Sequence, residues 1–167
     1  MEGTSRREAE KKMMKNTLTA AILLVALGVL GCAGPAAAGE TIGVVRNVGG
    51  AATVTRGENV LPADPGLKLL VGDTLATGAE GSLGVILRDD SCLSLGPSSR
   101  LVLRSFLFHP KEGKFELLAR LSRGTMAYLS GFIGKLAPGK VRFETPTATI
   151  GIRGTRFAAK VGEPSTP

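Results

Sequence analysis

The sequence has few of the residues on which enzyme and metal chemistry usually depends. Among its 167 residues there are one His, two Cys, one Tyr and no Trp. These counts are too low for a Cys/His zinc site or a disulfide framework. A Ser-His-Asp or Cys-His hydrolase would have to use His109, the only His in the chain. We therefore expect a protein that is not an enzyme and that has neither a cofactor nor a metal.

The overall composition is that of a single folded domain. Hydrophobic residues make up 43% and charged residues 21% of the chain, which is typical of neither a disordered chain nor a protein with many membrane spans. Glycine occurs 23 times, about twice its usual share. Because many short Val, Leu and Ile runs lie between turn residues, the composition favours an all-β domain over a helical bundle.

Residues 1–38 have the features of an export signal. The uncharged run of thirteen residues from Leu18 to Leu30 follows five basic residues and precedes small residues. This run is short for a bilayer span, which needs about 20 residues, whereas the pattern describes a secretory signal. Met13 or Met14 would give such a signal a more usual start. At most about 17 residues would remain in the cytoplasm, too few for a folded domain.

Three interpretations of this segment stay open. The residues before and including Cys32, VLGC, resemble a bacterial lipobox, in which Cys32 would be lipidated and become the first mature residue. The alanines at 36–38 fit the pattern of ordinary signal peptidase, which would leave Gly39 first. An uncleaved anchor is the third interpretation. We expect an exported, periplasmic, membrane-tethered lipoprotein, with a soluble periplasmic or secreted form after cleavage at Ala38 as the alternative.

Part of the basic charge belongs to this segment. The whole chain has a net charge of +7, whereas residues 39–167 contain 16 Lys or Arg and 11 Asp or Glu, a net charge of +5. An exported, moderately basic domain with few aromatic residues is a poor candidate for binding nucleic acid.

From Gly43 onward, short apolar runs alternate with Gly, Asp, Asn and Pro. Residues 115–122 alternate with the period of two that is typical of a strand. We expect turns at Arg123-Gly124 and at 135–140, and no helix. The pattern gives ten or more short strands, which is typical of a sandwich or barrel. The predicted fold is an all-β, β-sandwich or jelly-roll-like domain over residues 39–167, with its core at about 44–161.

The last apolar residues change parity along the chain. Ile150 and Ile152 lie on one face of an extended chain, whereas the apolar residues within 157–161 lie on the other. Since a regular strand would leave one of these sets in water, we expect a bulge or tight turn within 151–154 that resets the register.

Three motifs carry a family likeness. The segment TPTATIGIRGTRF at 145–157 closely resembles the C-terminal signature of FecR domains. LVGDTLATG at 70–78 and ILRDDSCL at 86–93 are similar to two further stretches of that family, with Asp90 in the place of a glycine. The likeness extends from about Val44 to Val161, and the chain is identified as a member of the FecR domain family. The matching residues, to which the resemblance gives a structural or binding role, are Gly72, Asp73, Asp89, Thr145, Pro146, Thr149, Gly151, Arg153, Gly154, Thr155 and Phe157.

The resemblance implies an extracytoplasmic β domain. The family is named after a periplasmic regulator of ferric-citrate uptake. Such regulators join a cytoplasmic anti-sigma segment, one membrane span, the FecR domain and a further C-terminal domain, and they relay receptor occupancy to a sigma factor. This sequence has no room for the cytoplasmic segment and stops at Pro167, where relatives usually continue. We expect the fold and location of the family without its transmembrane role. A fragment of a longer protein is an alternative.

The acidic motif residues have two interpretations. Asp73 and the pair Asp89-Asp90 could act as catalytic carboxylates, which would need a separation of roughly 5–10 Å in a cleft, or as calcium ligands. The alternative, which we favour, is turn chemistry, in which Asp accepts hydrogen bonds from nearby backbone. Cys92 is expected to be a buried, inert thiol, and His109 a surface residue.

The C-terminal third of the chain is locally basic. Arg142, Arg156 and Lys160 are candidates for contact with an anionic partner, and Arg156 and Lys160 are expected to point outward. The alternative, which we favour, is that they are solvated residues of edge strands, where Lys and Arg prevent edge-to-edge pairing. The pair Phe132-Ile133 is a second candidate contact, for which core packing is the favoured alternative.

Together these features predict a non-enzymatic binding or scaffolding module of the bacterial envelope with a role in signalling. Its expected partner is an envelope protein or a cell-wall polymer. One alternative is a FecR-type regulator of sigma-factor and iron-uptake signalling that acts with a membrane-spanning partner. Another is a carbohydrate-active or cell-wall-binding β-sandwich.

Overall fold

The computed structural model describes residues 39–153 and 156–162, and every structural statement below refers to them. They form twelve strands, one short α-helix, α1 (Phe132–Leu136), and one 3-10 turn (Pro110–Glu112). The strands are β1 (Thr41–Gly49), β2 (Ala52–Arg56), β3 (Asn59–Pro62), β4 (Lys68–Leu70), β5 (Thr74–Thr77), β6 (Ser82–Leu87), β7 (Cys92–Leu95), β8 (Arg100–His109), β9 (Lys114–Leu129), β10 (Val141–Glu144), β11 (Thr149–Gly151) and β12 (Arg156–Val161).

The prediction of an all-β fold with ten or more strands is confirmed. The predictions for the export segment, Cys32, Gly154 and Thr155 lie outside the described residues. Among the helices of the described part, none is both long enough and apolar enough to cross a membrane.

The strands form one curled sheet with two halves. The front half has the order β4-β1-β6-β7-β9-β12, and the back half has the order β3-β2-β5-β8-β9-β10-β11. The pairing of β9 with β10 is parallel. The ring of Phe143 in β10 contacts Tyr128 of β9 at 5.0 Å and Phe157 of β12 at 5.8 Å between centroids. The two halves therefore pack face to face as in a sandwich.

Strand β9 is long because it serves both halves. Its first part pairs with β8 as far as Arg123, and its second part pairs with β7 and β12 from Gly124 onward. Gly124 has a φ of 85°, and a Cβ there would lie 2.4 Å from the Cα of Ser99, so the bend requires glycine. The predicted turn at Arg123-Gly124 is therefore wrong: the chain bends there without leaving the sheet.

The hydrophobic core formed by the described residues draws on both halves of the sheet. It extends from Ile42 to Ile152 and is continued by half-buried residues of β12. In β6, alternate residues Leu83, Val85 and Leu87 are buried, as the period of a strand requires. Each such side chain contributes about 1.5–3 kcal/mol by leaving water. Because these strands close a core of their own, the described residues belong to one compact unit.

One local expectation is corrected by the structure, and a second, the bulge or tight turn predicted within 151–154, falls partly outside the described residues. The expectation of no helix is wrong, since Phe132–Leu136 form one helical turn in which Ile133 is fully buried and Phe132 is 45% exposed. The change of parity near residue 152 coincides with a crossing between the halves, because β11 belongs to the back half and β12 to the front. Side chains of opposite parity therefore both reach the core.

Candidate functional site

The carboxylate of Asp73 is buried in the turn between β4 and β5. It accepts hydrogen bonds from Arg56 Nε at 2.9 Å, from Arg56 Nη2 at 2.7 Å and from the backbone N–H of Leu70 at 2.9 Å. Arg56 Nη2 also donates to the carbonyl of Lys68 at 2.7 Å. The hydrogen bond with Asp73 raises the pKa of Arg56 above its usual value. Asp73, preceded by Gly72 in the same turn, thus links β2 to β4.

The turn between β6 and β7 buries a second carboxylate among neutral donors. The side chain of Asp89 accepts from the N–H of Ser91 at 3.1 Å, from the hydroxyl of Ser91 at 2.7 Å and from the N–H of Ile133 at 3.2 Å. Its backbone carbonyl accepts from the N–H of Phe132 at 2.7 Å. The following residue, Asp90, has a φ of 61°. Asp89 therefore fastens α1 to this turn.

Ser91 connects this turn to β9. Its hydroxyl lies 3.0 Å from the hydroxyl of Tyr128 and accepts from the N–H of Gly131 at 3.0 Å. Because this hydroxyl also donates a hydrogen bond to Asp89, it makes the one donor and two acceptor interactions that a serine hydroxyl can make. Burial raises the pKa of Tyr128, and the hydrogen bond with Ser91 opposes that rise. The hydroxyl of Ser130 is buried nearby without a hydrogen-bond partner of normal geometry among the described residues, and its proximity to the phenol also opposes the rise in the pKa of Tyr128.

The geometry gives both carboxylates a structural role. Asp73 is 1% exposed and Asp89 is 0% exposed, whereas a catalytic acid or base must reach its substrate. Each carboxylate accepts a hydrogen bond from a backbone N–H two or three residues away, as aspartate side chains in turns commonly do. In the part of the chain that the structure describes, no group of three or more His, Cys, Asp or Glu could hold a metal ion.

The segment that resembles the FecR signature lies mostly at the surface. The N–H and the hydroxyl of Thr145 both donate to the carbonyl of Ala148, at 2.8 and 3.1 Å, and so close a turn between β10 and β11. Phe157 is half-buried and stacks on Phe143. The exposed residues of this segment with a motif match are Pro146, Thr149, Gly151 and Arg153.

A shallow groove crosses the outer surface of the front half, and we call it the front groove. Two adjoining depressions of about 500 Å³ each share the small residues Ser94, Ala127 and Ala158 as their floor. Arg156 and Lys160 lie on either side of Ala158 in β12, about 13 Å apart at the spacing of a strand. Neither forms an ion pair with another described residue.

A second groove of about 650 Å³ lies between β12 and the turn at 145–147, on the opposite face of β12. Its apolar lining includes Ile150 and Phe157. Among the described strands, β12 pairs only with β9, so its outer edge has no partner. An unpaired edge strand presents backbone donors and acceptors to which another strand can add.

The structure separates the three predicted anion contacts. Arg142 lies in the back half and contacts Glu116, with Nη2 to Oε1 at 3.7 Å, whereas Arg156 and Lys160 share the front groove. Cys92 also lines this groove and is half-buried and free, so it is less buried than the sequence interpretation expected.

An aromatic cluster was missed by the sequence interpretation. The ring centroids of Phe108 and Phe115 are 6.1 Å apart, and those of Phe108 and Phe132 are 6.3 Å apart. Lys135 Nζ lies 5.6 Å from the ring centroid of Phe132. Phe108 faces Phe115 across the β8–β9 hairpin. The contact with Phe132 depends on α1, which the sequence did not indicate.

Comparison with known proteins gives one match. A family model described as FecR protein matches residues 73–166, more than half of the chain. The matched span begins at Asp73 and contains the Asp89 turn, the signature segment and β12. No curated protein and no solved structure matches the chain significantly.

Proposed function

The chain belongs to the FecR family, and from this membership we propose that it is a non-enzymatic binding module of the bacterial envelope. Membership of this family makes it a signalling-related FecR-domain protein. In the proposal, residues 1–38 direct export, Cys32 carries the lipid tether, and the folded domain binds an acidic envelope protein through β12.

The observation that carries the proposal is the exposure of β12. This strand combines an edge without a partner among the described strands, a groove on each face and two cations without an ion pair there. The acidic motif residues offer no such surface, because their carboxylates are buried. Within the part of the domain that matches the family, β12 therefore has the properties of a contact surface.

Strand addition is the binding mode that fits these features. A partner strand at the outer edge of β12 would pair through its backbone, and its neighbouring side chains would extend over the front groove. Because Ser94, Ala127 and Ala158 are small, they let a partner approach closely. Acidic side chains of the partner would meet Arg156 and Lys160, which favours fast association and correct register.

Site-specific photocrosslinking in the native envelope tests the proposal. A photoreactive residue replaces Ala158, which is exposed on the floor of the front groove. The matched control replaces Val60, which is 64% exposed on the edge strand β3 of the back half. We expect a discrete adduct at 158 and none at 60. The absence of an adduct at 158, or the same adducts at both positions, would contradict the proposal.

The identity of the adduct separates the two signalling alternatives. An adduct with a membrane-spanning protein would specify a FecR-type regulator that acts through that partner. An adduct with a periplasmic or outer-membrane protein would specify a scaffolding module. Recovery of glycan alone would overturn the protein-partner proposal in favour of cell-wall binding.

A further inference from the structure

An apolar tip, formed by Phe108, Phe115, Phe132 and Leu136, lies at one end of the domain. The three rings contact one another in sequence, with Phe108 between the other two. Phe132 is 45% exposed and Leu136, on the same side of α1 one turn later, is 57% exposed. Large apolar side chains clustered at the surface mark a contact with a partner or a membrane.

The chain enters the domain at this same end. The N–H of Arg88 donates to the carbonyl of Ile42 at 2.9 Å, and the guanidinium of Arg88 pairs with Glu40. The next residue, Asp89, accepts at its backbone carbonyl from the N–H of Phe132 at 2.7 Å. The first described residues are therefore connected to the apolar tip through a single turn.

This connection limits how far the tip can be from a membrane tether. Six residues separate Cys32 from Gly39 in the sequence. A fully extended chain spans at most about 3.5 Å per residue, so a lipidated Cys32 would hold Gly39 within about 25 Å of the bilayer surface. With that tether, the end of the domain that carries the apolar tip would be the end held closest to the membrane.

The charges around the tip complement an anionic surface. Lys114 pairs with Glu112 and Arg88 with Glu40. The remaining charges near the tip are the cations Lys111, Lys135 and Lys140 and the exposed anion Asp90. None of these cations has an ion pair with a described residue, and Lys135 lies over the ring of Phe132. Apolar side chains ringed by lysines are typical of segments that lie in the interface of an anionic bilayer.

We propose that the apolar tip inserts Phe132 and Leu136 into the headgroup region of the anionic membrane that holds the tether. The inference rests on the proposed function, because the tether at residues 1–38 is what brings this end of the domain to the membrane, where the apolar tip then binds by its own affinity. It adds a second membrane contact made by the folded domain itself. Two contacts would fix the orientation of the domain and leave β12 available to its partner.

Tryptophan fluorescence tests the insertion, because the chain has no Trp of its own. The folded unit 39–167 carries Phe132→Trp, and the matched control carries Val60→Trp on the exposed edge strand β3. Each is mixed with vesicles of phosphatidylcholine alone or with added phosphatidylglycerol. We expect the emission at position 132 to shift to shorter wavelength only with phosphatidylglycerol, and the emission at position 60 to stay unchanged. No shift at 132, or equal shifts at both positions, would overturn the proposal.

A second variant keeps the test valid if Phe132→Trp disturbs the fold. Leu136→Asp, at a site that is 57% exposed, should weaken cosedimentation with the phosphatidylglycerol vesicles about tenfold, and Val60→Asp should not. A concentration-dependent shift at 132 without vesicles would show a second copy of the chain at the tip and contradict the membrane proposal. Vesicle binding tests the apolar tip, whereas photocrosslinking at Ala158 tests the β12 proposal. One proposal can therefore fail while the other holds, and the two failures are distinguishable.

Discussion

The residues that carry the family pattern occupy two regions with opposite environments. The turns at Asp73 and Asp89 are buried, and their carboxylates accept hydrogen bonds on all sides. Strand β12, which continues the signature segment within the matched span, turns every second side chain outward, and Arg156 and Lys160 have no ion pair with a described residue. The contrast teaches that one family pattern can combine residues that hold the fold with residues free to bind. The predictions below test this division in order of their expected effect on stability.

Replacement of Asp89 should have the largest effect. Asp89→Ala removes the acceptor for the Ser91 N–H, the Ser91 hydroxyl and the Ile133 N–H, all of which are buried. Each buried donor left without a partner costs about 1–3 kcal/mol. We expect a loss of about 4 kcal/mol in the free energy of unfolding, measured by urea denaturation of the 39–167 unit. A loss below about 1 kcal/mol would contradict a structural role for this turn.

Replacement of Asp73 should cost less, although Asp73 is equally buried. In Asp73→Ala the former partner Arg56 can be hydrated, because its side chain is 35% exposed, so only the Leu70 N–H loses its main acceptor. We expect a loss of about 2 kcal/mol. Urea denaturation of both alanine variants under one set of conditions checks the order, and a larger loss for Asp73→Ala than for Asp89→Ala would reverse the comparison.

The single tyrosine allows the buried cluster to be followed by its own titration. Burial raises the pKa of Tyr128 above the usual value of about 10, so the native state holds the phenolic proton more tightly than the unfolded state. This stabilisation is complete below about pH 10 and is lost as the pH rises through the native pKa. We expect absorbance at 295 nm to titrate above pH 10 in the native protein and near pH 10 in urea.

Removal of the hydroxyl at Ser130 should have almost no cost. This hydroxyl is buried without a hydrogen-bond partner among the described residues, so Ser130→Ala removes an unpaired polar group. We expect a change within about 0.5 kcal/mol or a small gain in thermal stability. A loss of more than about 1 kcal/mol in thermal denaturation would show that the hydroxyl has a partner, and it would extend the hydrogen-bonded cluster to Ser130.

Much of the fold follows from local signals in the sequence. Residues 115–122 lie in β9, as their alternation predicted, since a period of two is a local property of the sequence. The bend at Gly124 was misread as a turn because glycine serves both, and only the close approach of Ser99 separates them. Helix α1 depends on a remote acceptor, Asp89, which a one-turn segment cannot indicate by its own periodicity.

The candidate site was only partly predictable, because it too depends on contacts between segments that are distant in sequence. The outward orientation of Arg156 and Lys160 follows from their even spacing in the sequence. Their separation from Arg142 does not, because it results from the crossing of the chain from the back half to the front half. The floor of the front groove is likewise assembled from three strands that are distant in sequence.

The most direct test of the division is the double charge reversal Arg156→Glu/Lys160→Glu. Its matched control is Arg100→Glu/Arg104→Glu, which has the same residue spacing and the same change in formal charge on exposed residues of β8 in the back half. We expect both variants to unfold at the wild-type temperature, and only the β12 variant to lose the adduct formed at position 158. Retention of that adduct at full yield in the β12 variant would contradict the account.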